Sequence, residues 1–238
     1  MDNLLGKPWE LFVFDWDGTV MDTTYLIARG MQEASKALGY PEPPLALARS
    51  TIGLGEEDTM RIICPDCPRS RFAEFGNAYR KWYIPREGQV PVFEGLDAML
   101  WGMHRAGLRL AIATGKSWGG MQRVFGITGM APIFEAVKTA DRSWPKPNPA
   151  MLLELADETG VEPDRMVMVG DAIHDMQMAA NAGASAVGVT YGGGDPAQLE
   201  PARPHAVVPS VAELARVLGV VPEFNAELAR RGKSPISA

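Results

Sequence analysis

The first chemistry this sequence offers lies in two aspartate pairs, each placed directly after a short apolar run. One is Phe14-Asp15-Trp16-Asp17-Gly18-Thr19. In extended backbone alternate side chains share a side, so Asp15 and Asp17 project together, and Gly18 permits the turn that follows. Carboxylates this close repel unless a proton or cation sits between them. A hard, oxygen-preferring Mg²⁺ meets that need, and a solvated acidic turn is the plain alternative. The other pair is in Val169-Gly170-Asp171-Ala172-Ile173-His174-Asp175. A helix opening near Ala172 puts Asp171 around its N-cap and Asp175 about one turn on, so both can face one metal. An N-cap alone explains Asp171 and leaves Asp175 unexplained. His174 reads as a bystander.

Two further clusters carry hydroxyl, amide and ammonium groups. In Ala113-Thr114-Gly115-Lys116-Ser117 a strand ends in a hydroxyl followed by glycine. Such an edge can hold phosphoryl oxygens, with Lys116 either beside the ligand or a solvated loop charge. The spacing of a nucleotide-binding P-loop is missing. In Trp144-Pro145-Lys146-Pro147-Asn148-Pro149 three prolines restrict the backbone around one lysine. Lys146 is thereby held in a defined geometry, suited to a phosphate, or else belongs to an ordinary proline-rich connector.

These clusters need elements to position them. Leu11 to Phe14, Leu108 to Ala113, Met166 to Val169 and Ala186 to Val189 are apolar, β-rich runs with polar or glycine stops and read as buried parallel strands. Helical patterns over Gly95 to Ala106, Pro149 to Thr159 and Asp175 to Ala182 alternate with them, which predicts an α/β doubly wound parallel sheet. Ligands bind beyond the carboxyl ends of such strands, where the four clusters fall. One interval breaks the pattern. Between Asp15 and Leu108 roughly 60 residues exceed what a βαβ crossover needs. Residues 22–88 show helical periodicity, as in Tyr25 to Leu38 and Phe72 to Tyr83, broken at Pro41-Glu-Pro-Pro. They predict a small all-helical cap inserted after the first strand and placed over the sheet's carboxyl edge as a lid. The expected core is then 1–21 with 89–221, and 222–238, poor in apolar residues, reads as a peripheral tail.

The whole chain is compatible with this plan. At 238 residues, 46% hydrophobic and 22% charged, it has ordinary globular composition. A net charge of −6 argues against a nucleic-acid partner but not against a small anion. No apolar run nears the roughly 18 residues of a membrane span, so a cytoplasmic protein without targeting is expected. Cys64 and Cys67, in C-P-D-C, lack the further ligands of a zinc site and read as free thiols. Nothing in the sequence speaks to oligomeric state.

Together the clusters resemble the haloacid dehalogenase superfamily, specifically its phosphatases with a helical cap after the first motif. Asp15-Trp16-Asp17-Gly18-Thr19 is similar to its nucleophile motif, Thr114 to its second, Lys146 to its third, and Gly170-Asp171 with Asp175 to its acidic fourth. Lys146-Pro-Asn-Pro and Tyr191-Gly-Gly-Gly look like the phosphoglycolate phosphatase branch. The resemblance implies that Asp15 attacks phosphorus to give an aspartyl-phosphate and that Asp17 protonates the leaving oxygen, then activates water. It implies Mg²⁺ held by an Asp15 oxygen, the Asp17 backbone carbonyl, Asp171 and, directly or through water, Asp175. Thr114, the Gly115 N–H and Lys146 would neutralise the phosphoryl group. In the cap, the loop around Gly53 resembles one lowered toward substrate, and Arg49, Arg80 or Lys81 could meet a substrate carboxylate. A dehalogenase or phosphonatase disagrees with an acid at Asp17. A sugar phosphomutase is disfavoured by the absence of histidine from residues 22–88, and a non-catalytic module by the intact acidic set.

Overall fold

Six short strands form one parallel sheet in the computed structural model, which describes residues 9–192 and 195–237. Residues 1–8 of the expected core, Gly193 and Gly194 of the glycine run after Tyr191, and Ala238 of the expected tail lie outside the described residues. The strands are β1 (Leu11–Phe14), β2 (Arg109–Thr114), β3 (Ala136–Thr139), β4 (Met166–Gly170), β5 (Ser185–Val189) and β6 (Ala206–Val208), in the order β3-β2-β1-β4-β5-β6. The four predicted strands are β1, β2, β4 and β5, and they form the middle of the sheet. The edge strands leave little trace in the sequence: β3 carries Lys138 among half-exposed residues, and β6 is only three residues long and partly exposed.

The two-residue period of the strands divides the apolar side chains between two cores. Phe12 and Phe14 join Leu110, Ile112, Val167 and Val169 on one face. Leu11 and Val13 join Ala111, Ala113, Met166 and Met168 on the other. Between β1 and β2 lie α1 (Thr24–Ala37), α2 (Leu45–Ser50), α3 (Glu56–Ile63) and α4 (Phe72–Glu87), with no strand of the sheet among them. They enclose a separate cluster of Ala34, Met60, Ile63, Cys64, Cys67 and Phe75. Both cysteines are buried free thiols, and burial with the neighbouring Cys67 pushes the Cys64 thiol up to about 11. Among the described residues, no helix is long and apolar enough to cross a membrane.

The remaining helices cover the sheet. The Phe12 face carries α5 (Leu96–Arg105) and α6 (Trp118–Thr128), and the Leu11 face carries α7 (Ala150–Thr159), α8 (Ile173–Ala182) and the short α9 (Pro196–Leu199). On the Phe12 face α10 (Val211–Leu218) and α11 (Val221–Arg230) complete the layer. Helix α11 corrects the expectation of a peripheral tail. Phe224 and Leu228, one turn apart, are buried at 3% and 5% exposure. The segment has few apolar residues, but they fall on one helical stripe, which composition alone does not register. It packs on α5 where Gly102 opens the surface, for a Cβ there would lie 2.3 Å from the Glu223 carbonyl oxygen.

Candidate active site

In this strand order the crossover direction reverses between β1 and β4, which opens a crevice at their carboxyl ends. Asp15 follows β1 at the crevice, its N–H donating to the Val169 carbonyl at 2.9 Å, so the backbone stays extended for one residue beyond the strand. Trp16 consequently turns the other way, into the core against Phe125 and Phe134. The chain then folds back, with Val20 and Met21 N–H groups donating to the Trp16 carbonyl at 2.8 and 3.0 Å. Gly18 makes this turn at φ 86°, and a Cβ there would stand 2.2 Å from Asp171 Oδ2.

Three carboxylates meet across the crevice. One oxygen each from Asp15, Asp171 and Asp175 lies within 4.8 Å of the others. The buried Lys146 ammonium stands 2.8 Å from Asp15 Oδ1 and 2.6 Å from Asp175 Oδ1. Its bond to Asp175 is well aligned, whereas the approach to Asp15 is a close ion pair without hydrogen-bond alignment. Asp175 also caps α8, its Oδ2 accepting the Ala172 N–H at 3.1 Å, and Asp171 Oδ1 accepts the Thr19 hydroxyl at 3.0 Å. Asp171 therefore sits just before the N-cap, which is Ala172, instead of occupying it.

The charge here is unbalanced. Burial pushes Asp15 up from 3.8 to about 6, with Lys146 opposing and Asp175 adding to the rise. Burial also pushes Asp171 well above its ordinary value, with Asp15 and Asp175 contributing. For Lys146 burial acts downward, but Asp15 and Asp175 outweigh it and the ammonium is held charged. Three hard oxygen donors with a single buried ammonium fit a divalent, oxygen-preferring cation, and the raised carboxylates report the charge it would neutralise.

Asp17 faces a different set of partners. Its Oδ1 accepts the Thr23 hydroxyl at 2.7 Å and lies 3.1 Å from Lys116 Nζ, so its side chain is outside the three-carboxylate group. Thr114 ends β2 and its Oγ1 accepts the Lys116 N–H at 3.2 Å. A cavity of about 510 Å³ lies between sheet and insert, lined by Asp15, Asp17, Thr114, Gly115 and Lys116 below and by Gly53, Tyr79, Arg80 and Tyr83 above. Gly115 is where the halves touch, since a Cβ there would be 2.9 Å from Gly53 Cα. Arg49, one of three candidates for a substrate carboxylate, does not line this cavity. Its guanidinium donates to Thr24 Oγ1 and the Gly192 carbonyl at 3.1 and 3.3 Å, and it lines a separate cavity with Asp171 and His174. Lys81 is exposed and also lies outside the lining, while Arg80 is within it.

A model of the haloacid dehalogenase-like hydrolases matches residues 12–189, from β1 to the end of β5. The chain belongs to that family. It is 31% identical to a Dickeya dadantii protein named probable phosphatase IndB, over 87% of this chain and 92% of that one. It is 28% identical to the phosphoglycolate phosphatase of Vibrio parahaemolyticus, covering 89% and 96%. The crystal structure of a hydrolase from Pseudomonas syringae superposes with a TM-score of 0.79 at 25% identity, over 89% and 98%. Thr23, Tyr83 and Glu87 are not among the site residues read from the sequence, and Thr19 is there only as part of the first motif. Thr19 and Thr23 lie within the first motif's turn, where hydroxyls next to acids were the available signal, whereas Tyr83 and Glu87 come near Asp17 only through the fold.

Proposed function

We propose that the cavity hydrolyses a small phosphorylated metabolite, with phosphoglycolate the first candidate, through an aspartyl-phosphate on Asp15. The chain is a phosphoric monoester hydrolase of the haloacid dehalogenase-like family. The observation that carries the proposal is Asp15 itself: a buried acid that lines the cavity, paired with Lys146 and gathered with Asp171 and Asp175. An Asp15 oxygen bonds to phosphorus as the bond to the leaving oxygen breaks, and Asp17 supplies the proton that oxygen needs. Asp17, now a base, takes a proton from water, which attacks phosphorus and releases phosphate with Asp15 restored. The Thr114 hydroxyl lines the cavity with its oxygen accepting from Lys116 N–H, and its hydrogen can be given to a phosphoryl oxygen. Lys146 offsets negative charge, which is most of what phosphoryl transfer asks of a protein. Asp15, Asp171 and Asp175, with the Asp17 carbonyl, would hold Mg²⁺, whose chemistry is to neutralise charge on the transferring group. Helices α1–α4 act as the cap that excludes water.

A second reading keeps the chemistry and changes the ester. A cavity of about 510 Å³ admits leaving groups far larger than a two-carbon acid, such as a sugar phosphate or nucleotide. Both readings are tested by phosphate release from phosphoglycolate, sugar phosphates, nucleotides and pyrophosphate with Mg²⁺. Preferential release from phosphoglycolate supports the first and preference for a larger ester the second. An isomerised sugar phosphate without free phosphate would overturn both in favour of a mutase.

A further inference from the structure

Glu87 is a buried acid that this chemistry leaves unused. It ends α4, the helix that returns the chain from the insert toward the sheet, and is 1% exposed. Its oxygens face two cations of the core: Arg123 Nε at 3.0 Å from Oε2 and Lys116 Nζ at 3.5 Å from Oε1. Lys116 in turn stands 3.1 Å from Asp17 Oδ1 and 3.4 Å from the Tyr83 hydroxyl. Its stem lies flush on α6, since a Cβ at Gly120 would come 2.7 Å from Lys116 Cγ. Charges thus alternate from half-exposed Arg123 through Glu87 and Lys116 to Asp17. Stability alone does not call for such a chain, because apolar residues often replace buried ion pairs without loss.

We propose that Glu87 and Lys116 are positioning residues for Asp17: Glu87, anchored by Arg123, holds the Lys116 ammonium where it and Thr23 keep the Asp17 carboxyl in one orientation over the cavity. Without the ammonium, the Asp17 carboxyl keeps, among the described residues, the 2.7 Å bond from Thr23 alone and is free to turn about it. Glu87 belongs to the insert and Lys116 to the sheet, so the acid is set by their meeting. This inference rests on the reading of Asp17 as the group that protonates the leaving oxygen.

Leaving-group dependence tests it. p-Nitrophenolate departs without a proton, whereas an alkoxide requires one, so misplacing Asp17 penalises n-propyl phosphate more than p-nitrophenyl phosphate. The readout is kcat/KM, which reports the first transfer and is insensitive to the later hydrolysis of the intermediate. Glu87→Gln is expected to lose at least about tenfold more kcat/KM on the alkyl than on the aryl ester, a fraction of what general acid catalysis supplies. Arg123→Gln, at a half-exposed position that tolerates change, is expected to shift selectivity the same way by less. Asp17→Asn serves as the reference. Equal losses on both esters in Glu87→Gln and Arg123→Gln, with Asp17→Asn still discriminating, overturn the positioning role alone. Equal losses in Asp17→Asn as well overturn the acid reading and the positioning role together.

Discussion

Replacing Asp15 by asparagine should destroy activity and strengthen the metal-free fold at alkaline pH. The magnitude follows from burial. A carboxyl whose ordinary value is 3.8 and which sits at about 6 in the folded protein binds its proton more tightly folded than unfolded. Its contribution to stability is therefore fully present below about pH 4 and is lost as the pH rises through 6. The whole displacement corresponds to roughly 3 kcal/mol at pH 8. Asparagine keeps the shape, carries no charge and still offers Lys146 an oxygen, while Lys146 retains Asp175 at 2.6 Å. Urea unfolding in EDTA should show Asp15→Asn more stable than wild type by about 1 to 3 kcal/mol at pH 8, with the gap closing between pH 6 and pH 4. Mg²⁺ should narrow the gap at pH 8 by stabilising only the protein with the full carboxylate set. A variant less stable than wild type at pH 8 in EDTA would refute the charge-imbalance argument, and phosphatase activity surviving in it would refute the nucleophile.

Two other substitutions probe the supports of the site. Gly18→Ala forces a Cβ to within 2.2 Å of Asp171 Oδ2 at a φ of 86°, so Asp171 must move. Phosphatase kcat/KM and Mg²⁺ affinity, the latter read by titration calorimetry, should each fall about 10- to 100-fold, and unchanged Mg²⁺ affinity would remove Asp171 from the metal site. Phe224→Ala should lower stability by about 3 to 5 kcal/mol in urea while kcat is retained wherever the protein remains folded. A loss below about 1 kcal/mol would mean that α11 does not anchor α5.

The legible parts of this protein are those governed by local rules. Leu11 to Phe14 announces a doubly buried strand because all four residues are apolar, and the acids that follow it mark the strand's carboxyl end. Edge strand β3 was not legible, since Lys138 lies in its middle and solvent reaches one side. Helix α11 was misjudged because its apolar residues are few, although Phe224 and Leu228 have the spacing of one face. Within the site, the gathering of Asp15 with Asp171 and Asp175 was readable because Asp15 and Asp171 each follow a strand at the carboxyl edge of the sheet and Asp175 lies about one helical turn on. The partners of Asp17 were not, because Lys116 and Glu87 meet only when the insert settles on the sheet. Arg49 shows the same limit: its charge suggested an anion, while the fold spends it on Thr24 and the Gly192 carbonyl.

The pairing of β1 with both β2 and β4 has a consequence for synthesis. Asp15 leaves the ribosome long before Asp171 and Asp175, and at 5–20 residues per second the wait is on the order of ten seconds. Until β2 has been made the Leu-Phe-Val-Phe segment has no strand on either flank, and until β4 has been made one flank stays open, which makes it a natural client for chaperones. The nucleophile is equally idle, lacking Lys146, its acidic partners and the amide contact to Val169. The three carboxylates and Lys146 can therefore meet only once β4 and the start of α8 have been made.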